Sequence, residues 1–141
     1  MNIPVLVLLG FAAWTLIILS VGVGGYRWAH IFSGRASVAG WRADGQDGAD
    51  WYRRVTRAHM NCVENLPVYG AIVVALTVAG LRSPLVDGLS EVLLAARVGQ
   101  TLVHVALRQT NAVVSVRFTL FSIQLICMFV MAAVAAAVMI G

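Results

Sequence analysis

The chain has 141 residues, 60% of them hydrophobic and only 11% charged, and its formal net charge of +4 rests on ten basic residues that are all Arg. Soluble domains average about 25% charged residues, and a soluble fold of this length has too little interior to hide so much apolar surface, so the composition excludes a water-soluble globular protein and points to a bilayer. The net charge is no nucleic-acid signal either, because the arginines are spread over segment ends and one connection, and no nucleic-acid partner is expected.

The first apolar segment, about residues 3–25, carries no charge and is long enough to cross a hydrocarbon core of about 30 Å. It has no basic stretch before its apolar run and no A-x-A site after it, so a retained span is expected, not a cleaved signal peptide. From Tyr26 to Trp51 the chain turns polar, with Gly34, Gly40, Gly45 and Gly48 and the acidic Asp44, Asp47 and Asp50. That composition predicts a water-facing connection. The second segment, about 52–80, is polar in its first half and apolar from Leu66 to Ala79. Ser83-Pro84 then predicts an N-cap with proline at the first helical position, opening a third helix over about 84–107. Thr110 or Asn111 can cap a fourth, about 112–140, whose apolar run from Phe118 to Ile140 is the cleanest of all. The expected fold is therefore one all-α domain over residues 1–141, an integral membrane four-helix bundle.

The arginines orient the bundle. Arg27, Arg35, Arg42, Arg53, Arg54 and Arg57 lie in or beside the first connection, Arg108 and Arg117 at the third, and Arg82 alone on the opposite side. The positive-inside rule puts the first and third connections in the cytoplasm and both termini outside. Arg in place of Lys, with abundant Ala, Val and Gly, reads as coding bias in a GC-rich bacterium, so the expected location is the bacterial inner membrane. Cys62 and Cys127 lie in apolar stretches without metal spacing and read as small buried residues; no metal is expected.

Charges within a span are costly and need partners or a purpose. At about 100° per residue, Arg54, Arg57, Asn61 and Glu64 fall within about 80° of arc on the second helix. Arg97, Gln100, Thr101, His104 and Arg108 form a second stripe at i, i+3, i+4, i+7 and i+11 on the third, and Arg117 opens the fourth, all towards the same membrane face. Snorkelling to headgroups accounts for Arg53 and Arg54 but poorly for Asn61 and Glu64, which reach less far. A surplus of cations around one carboxylate is what an anionic ligand completes. His59 lies across the second helix from Asn61 and suits packing or a subunit interface; Trp28, Trp41 and Trp51 suit interfacial anchors.

The string from Arg57 to Pro67, R-A-H-M-N-C-V-E-N-L-P, resembles the R-A-x-x-N-x-x-E-x-x-P signature of the MAPEG family (membrane-associated proteins in eicosanoid and glutathione metabolism). It is similar to the form carried by leukotriene synthase and microsomal glutathione transferase members. The resemblance covers essentially the whole chain and implies a homotrimer that binds glutathione as co-substrate between subunits near the cytoplasmic face. It implies that Arg57 holds a glutathione carboxylate, with Arg54 as a further partner, and that Asn61 and Glu64 contact the γ-glutamyl end. It implies sites for Arg97 and His104 where the family has an Arg and an aromatic hydroxyl, a basic residue late in the first helix (Arg27 or Arg35), and a thiol-activating role for Arg117. The lipophilic second substrate is expected from the lipid, along a groove beside the fourth helix. Departures from the family pattern are Phe121 for a Tyr one turn after Arg117, Phe118 for the Ser of the prostaglandin isomerases, and His104 for a Tyr. These argue against isomerase chemistry and leave transferase or peroxidase chemistry open. A non-catalytic membrane subunit or lipid binder of the same fold is the alternative. A small transporter fits less well, because the first segment lacks an embedded acid and Glu64 sits among arginines.

Overall fold

The computed structural model describes residues 2–41 and 48–141. Among these residues there are four long helices and no strand: α1 from Ile3 to Phe32, α2 from Asp50 to Val78, α3 from Pro84 to Ala106, and α4 from Asn111 to Ile140. Arg42, Asp44, Gly45 and Asp47 of the first connection lie outside the described residues.

The helix starts follow from local chemistry. The Asn2 side chain accepts from the Val5 N–H, the Ser83 hydroxyl from the Leu85 N–H and the Thr110 hydroxyl from the Val113 N–H, with proline early in α1 and α3 where a missing N–H costs nothing. Gly80, at φ 64°, ends α2 by taking the left-handed conformation that side chains with a Cβ resist. Pro67 sits inside α2, where it removes the amide that would bond the carbonyl one turn back.

α1 departs from the expectation. It continues past Gly25 to Phe32, passing through a π-helical stretch at Ile18–Gly24. The reason is tertiary. Tyr26, on the added turns, stacks on Tyr52 at 4.3 Å between ring centroids, with Trp41 and Trp51 edge-on to it. Its hydroxyl accepts the Ala49 N–H at 3.0 Å. In the π-helical stretch α1 presses onto α2: a Cβ added at Gly22 would lie 2.4 Å from Cγ1 of Val55.

α1, α2 and α4 are each long and apolar enough to cross a membrane. α3 is more polar, carrying Asp87, Glu91 and Arg97. It turns its polar stripe inward: Ser90, Arg97, Gln100, Thr101 and His104 are buried, while Leu85, Val92 and Leu102 face out. The bundle thus shields from lipid what α3 could not expose. Phe11, Tyr69, Val73, Leu76, Leu93 and Met131 form the apolar core, and the Tyr69 hydroxyl donates to the Pro4 carbonyl at 3.2 Å, fastening α2 to the start of α1. Arg108 stays exposed beyond the end of α3.

Candidate functional site

Two clefts open in succession where α2 begins and α3 ends. The first, of about 240 Å³, is lined by Asp50, Arg53, Arg54 and Arg57 of α2, His104 of α3, and Gln109. The second, of about 260 Å³, is lined by Asn61 of α2, Gln100 of α3, and Val114, Arg117, Phe118 and Phe121 of α4. Arg57 and Asn61 are one helical turn apart, as are His104 and Gln100, so the clefts follow one another along one seam at the spacing of a helix turn, about 5.4 Å.

The first cleft is cationic. Asp50 pairs with Arg54 and, at 3.6 Å, with Arg53. Arg54 also donates from Nε to the Val105 carbonyl at 3.3 Å, bracing α2 against α3. One carboxylate thus serves two guanidinium groups, and the third, Arg57, is exposed. His104 is 3% exposed and its Nδ1 has no hydrogen-bond partner among the described residues. Arg54, Arg57 and Arg117 are all close enough to act electrostatically on its ring.

Behind the second cleft lies a buried amide pair. Oε1 of Gln100 accepts from Nη1 of Arg97 and from Nε2 of Gln124, each at 3.1 Å. Nε2 of Gln100 donates to the Arg117 carbonyl at 3.3 Å, and Nε2 of Gln124 also donates to the Leu120 carbonyl at 2.9 Å. These bonds tie α3 to the first turns of α4, across the interval between Arg97 and Arg117 that is long in sequence.

The remaining residues singled out from the sequence sit elsewhere. Arg97 is 1% exposed, with its guanidinium 5.3 Å from the Phe11 ring centroid and against Cys62, inside the protomer and lining neither cleft. Its Nε and Nη2 have no hydrogen-bond partner among the described residues. Glu64 is exposed, within electrostatic reach of Arg97, and lines neither cleft. Arg27 donates from Nε to the Tyr52 hydroxyl at 2.6 Å and lies over the Trp41 ring, so it belongs to the aromatic cluster that holds the end of α1. Sequence reasoning missed Gln109 and Gln124. A lone Gln deep in an apolar run was the available signal for the second; nothing local marks the first.

Further along the seam, α2 and α4 enclose an apolar groove of about 430 Å³ that includes Val68, Ala71, Ile72, Leu125, Met128 and Phe129. Its α4 residues lie on the helical face that carries Arg117 and Phe121, about two turns on.

A family model described as the MAPEG family matches residues 5–137, nearly the whole chain. No curated protein and no solved structure matches the chain.

Proposed function

The chain belongs to the MAPEG family, and from that premise we propose that it is a membrane-embedded glutathione-dependent transferase or peroxidase acting on lipophilic electrophiles or lipid hydroperoxides. The observation that carries this reading is the succession along one seam of a cluster of guanidinium groups, an Arg117–Asn61–Gln100 cleft and an apolar groove.

Glutathione brings two carboxylates, an ammonium, two amides and a thiol. Arg54 and Arg57 suit the carboxylates, because planar guanidinium groups bind them through paired hydrogen bonds. Asn61 and Glu64, one and two turns on, suit the γ-glutamyl amide and ammonium. The sulfur then reaches Arg117. A free thiol ionises near pH 8.5 and only its thiolate attacks. A cation beside it in a poorly hydrated cleft stabilises the anion by about 1.4 kcal/mol for each unit of lowered pKa. With an electrophile from the groove, a sulfur–carbon bond forms as the leaving group departs. With a hydroperoxide, the thiolate attacks the O–O bond, an alcohol leaves, and a second glutathione converts the resulting sulfenic acid to disulfide and water.

Glu64 supports assembly of several copies, a homotrimer in this reading. It lies 14 residues into α2, about 21 Å along the axis, is exposed, and is costly against lipid. A second copy covering that face removes the cost and delivers Glu64 to a neighbour's cleft.

Isothermal titration of the detergent-purified protein with glutathione tests the reading. Saturable binding is expected, weakened at least tenfold by Arg57→Ala or Glu64→Ala, the loss of one charge-assisted contact of about 1.5–3 kcal/mol. Arg117→Ala is expected to spare binding and remove the far-ultraviolet absorbance of the thiolate. No saturable heat with the unmodified protein rules out the glutathione reading and leaves a non-catalytic member of the family.

A further inference from the structure

A primary amide can be flipped by half a turn, so its orientation carries information only where neighbours forbid one of the two choices. At Gln100 they do. Arg97 is a donor at every nitrogen, and Nε2 of Gln124, which donates to the Leu120 carbonyl, turns its other hydrogen to Gln100. Two donors converge on one atom of the Gln100 amide, and that atom must be the oxygen. Nε2 is thereby turned to the opposite side, where it donates one hydrogen to the Arg117 carbonyl. No second acceptor for Nε2 occurs among the described residues. Gln100 is 6% exposed and forms part of the wall of the cleft that holds Asn61 and Arg117.

We propose that Gln100 is a further catalytic residue: its second amide hydrogen, aimed by Arg97 and Gln124, is donated to the sulfur of the bound thiol and, together with Arg117, stabilises the thiolate. This rests on the glutathione reading and adds a neutral donor to it. The arrangement also gives the buried Arg97 a role that does not require it to touch the ligand. With its guanidinium fixed over Phe11, it polarises the Gln100 carbonyl and so strengthens the donor at the other end of the amide. The step is a proton loss only: the S–H bond breaks, the proton leaves to water through the open cleft, and the charge on sulfur is shared between a guanidinium and an amide N–H.

The test follows the pH dependence of thiolate absorbance for glutathione bound to the full-length protein, with affinity measured in parallel. Gln100→Leu is expected to keep glutathione affinity within about threefold and to move the midpoint of thiolate formation up by about one pH unit, a tenfold loss of thiolate below it. Gln100→Glu keeps an oxygen for Arg97 and Gln124, and so keeps that half of the α3–α4 tie, but loses the donor to the Arg117 carbonyl and sets an acceptor in place of the N–H. It is expected to shift the midpoint at least as far. Gln124→Leu breaks the tie while leaving the Gln100 amide in place, and is expected to shift it less than either. A midpoint unchanged in Gln100→Glu, or one displaced equally by Gln124→Leu and Gln100→Leu, reduces Gln100 to a strut and overturns the proposal while leaving the glutathione reading intact. Absence of glutathione binding by the unmodified protein overturns both.

Discussion

A guanidinium sealed inside a helix bundle, with two of its nitrogens lacking a hydrogen-bond partner among the described residues, is a costly placement, and Arg97 is such a residue. Its compensation is distributed: the Phe11 ring face, the Gln100 oxygen, and the field of Glu64. This separates Arg97 from Arg57, although one helical periodicity argument marks both as polar residues on inward stripes. Arg57 is exposed in a cationic cleft and free to meet a carboxylate; Arg97 lines neither cleft. Replacing a buried charge by an apolar chain of similar volume is often close to neutral, whereas truncating it leaves a hole. Arg97→Met is therefore expected to change stability by less than about 1.5 kcal/mol, and Arg97→Ala to cost about 2–5 kcal/mol, both read from thermal unfolding in detergent. In Arg97→Met, glutathione affinity is expected to stay within a few fold of the parent. A fall as large as that of Arg57→Ala would return Arg97 to the ligand-binding set.

At the scale of helices, the three later elements were legible because their boundaries are chemical. Ser83-Pro84 and Thr110 cap as their side chains predict, and glycine closes α2. The end of α1 was not legible. Its Gly24-Gly25 pair and polar continuation look like an exit from the membrane, and only the stacking of Tyr26 on Tyr52, distant in sequence, shows why the helix persists. The candidate site divides in the same way. The 3.6-residue period groups Arg54, Arg57 and Asn61 on one face of α2, but only the fold sets the first two with His104 in one cleft and Asn61 with Arg117 in the next. Partnerships across helices, such as Gln100 with Gln124 or Arg97 with Phe11, leave no periodic trace. Nor does the close approach of α1 to α2 at Gly22, which yields a prediction at this scale. Gly22→Leu forces atoms into Val55 and is expected to destabilise the bundle by about 1–3 kcal/mol. Val55→Ala is mildly destabilising alone, and in combination is expected to recover part of the loss, so that the double variant unfolds later than the sum of the singles predicts. Strict additivity would mean that the two helices do not share this contact.

At the scale of the whole molecule, the asymmetry of its ends bears on orientation and the exposure of Glu64 on the proposed assembly. Arg35, Arg53, Arg54 and Arg108 gather at one end and Arg82 stands at the other. A cysteine placed at Ser37 is accordingly expected to react with a membrane-impermeant maleimide from the cytoplasmic side alone, and one placed at Arg82 from the outer side alone; the reverse labelling would invert the bundle. Arg117 lines the second cleft, whereas Glu64 is exposed and lines neither cleft. If a thiol ligand needs both, each site takes Glu64 from one copy and Arg117 from the next, and two defective variants can repair each other. At limiting glutathione, Glu64→Ala subunits, which bind it weakly, and Arg117→Ala subunits, which bind it without ionising it, are each expected to show little bound thiolate alone and to regain it when co-assembled. Random mixing in a cyclic oligomer leaves roughly a quarter of the junctions with an intact Glu64 on one side and an intact Arg117 on the other. The recovered absorbance should approach that fraction of the parent's and vanish when the two substitutions are carried by the same subunit and mixed with neither. Recovery absent from a mixture shown to contain both subunits would confine the site to one protomer, and Glu64 would then require some other partner to offset its exposure within the membrane.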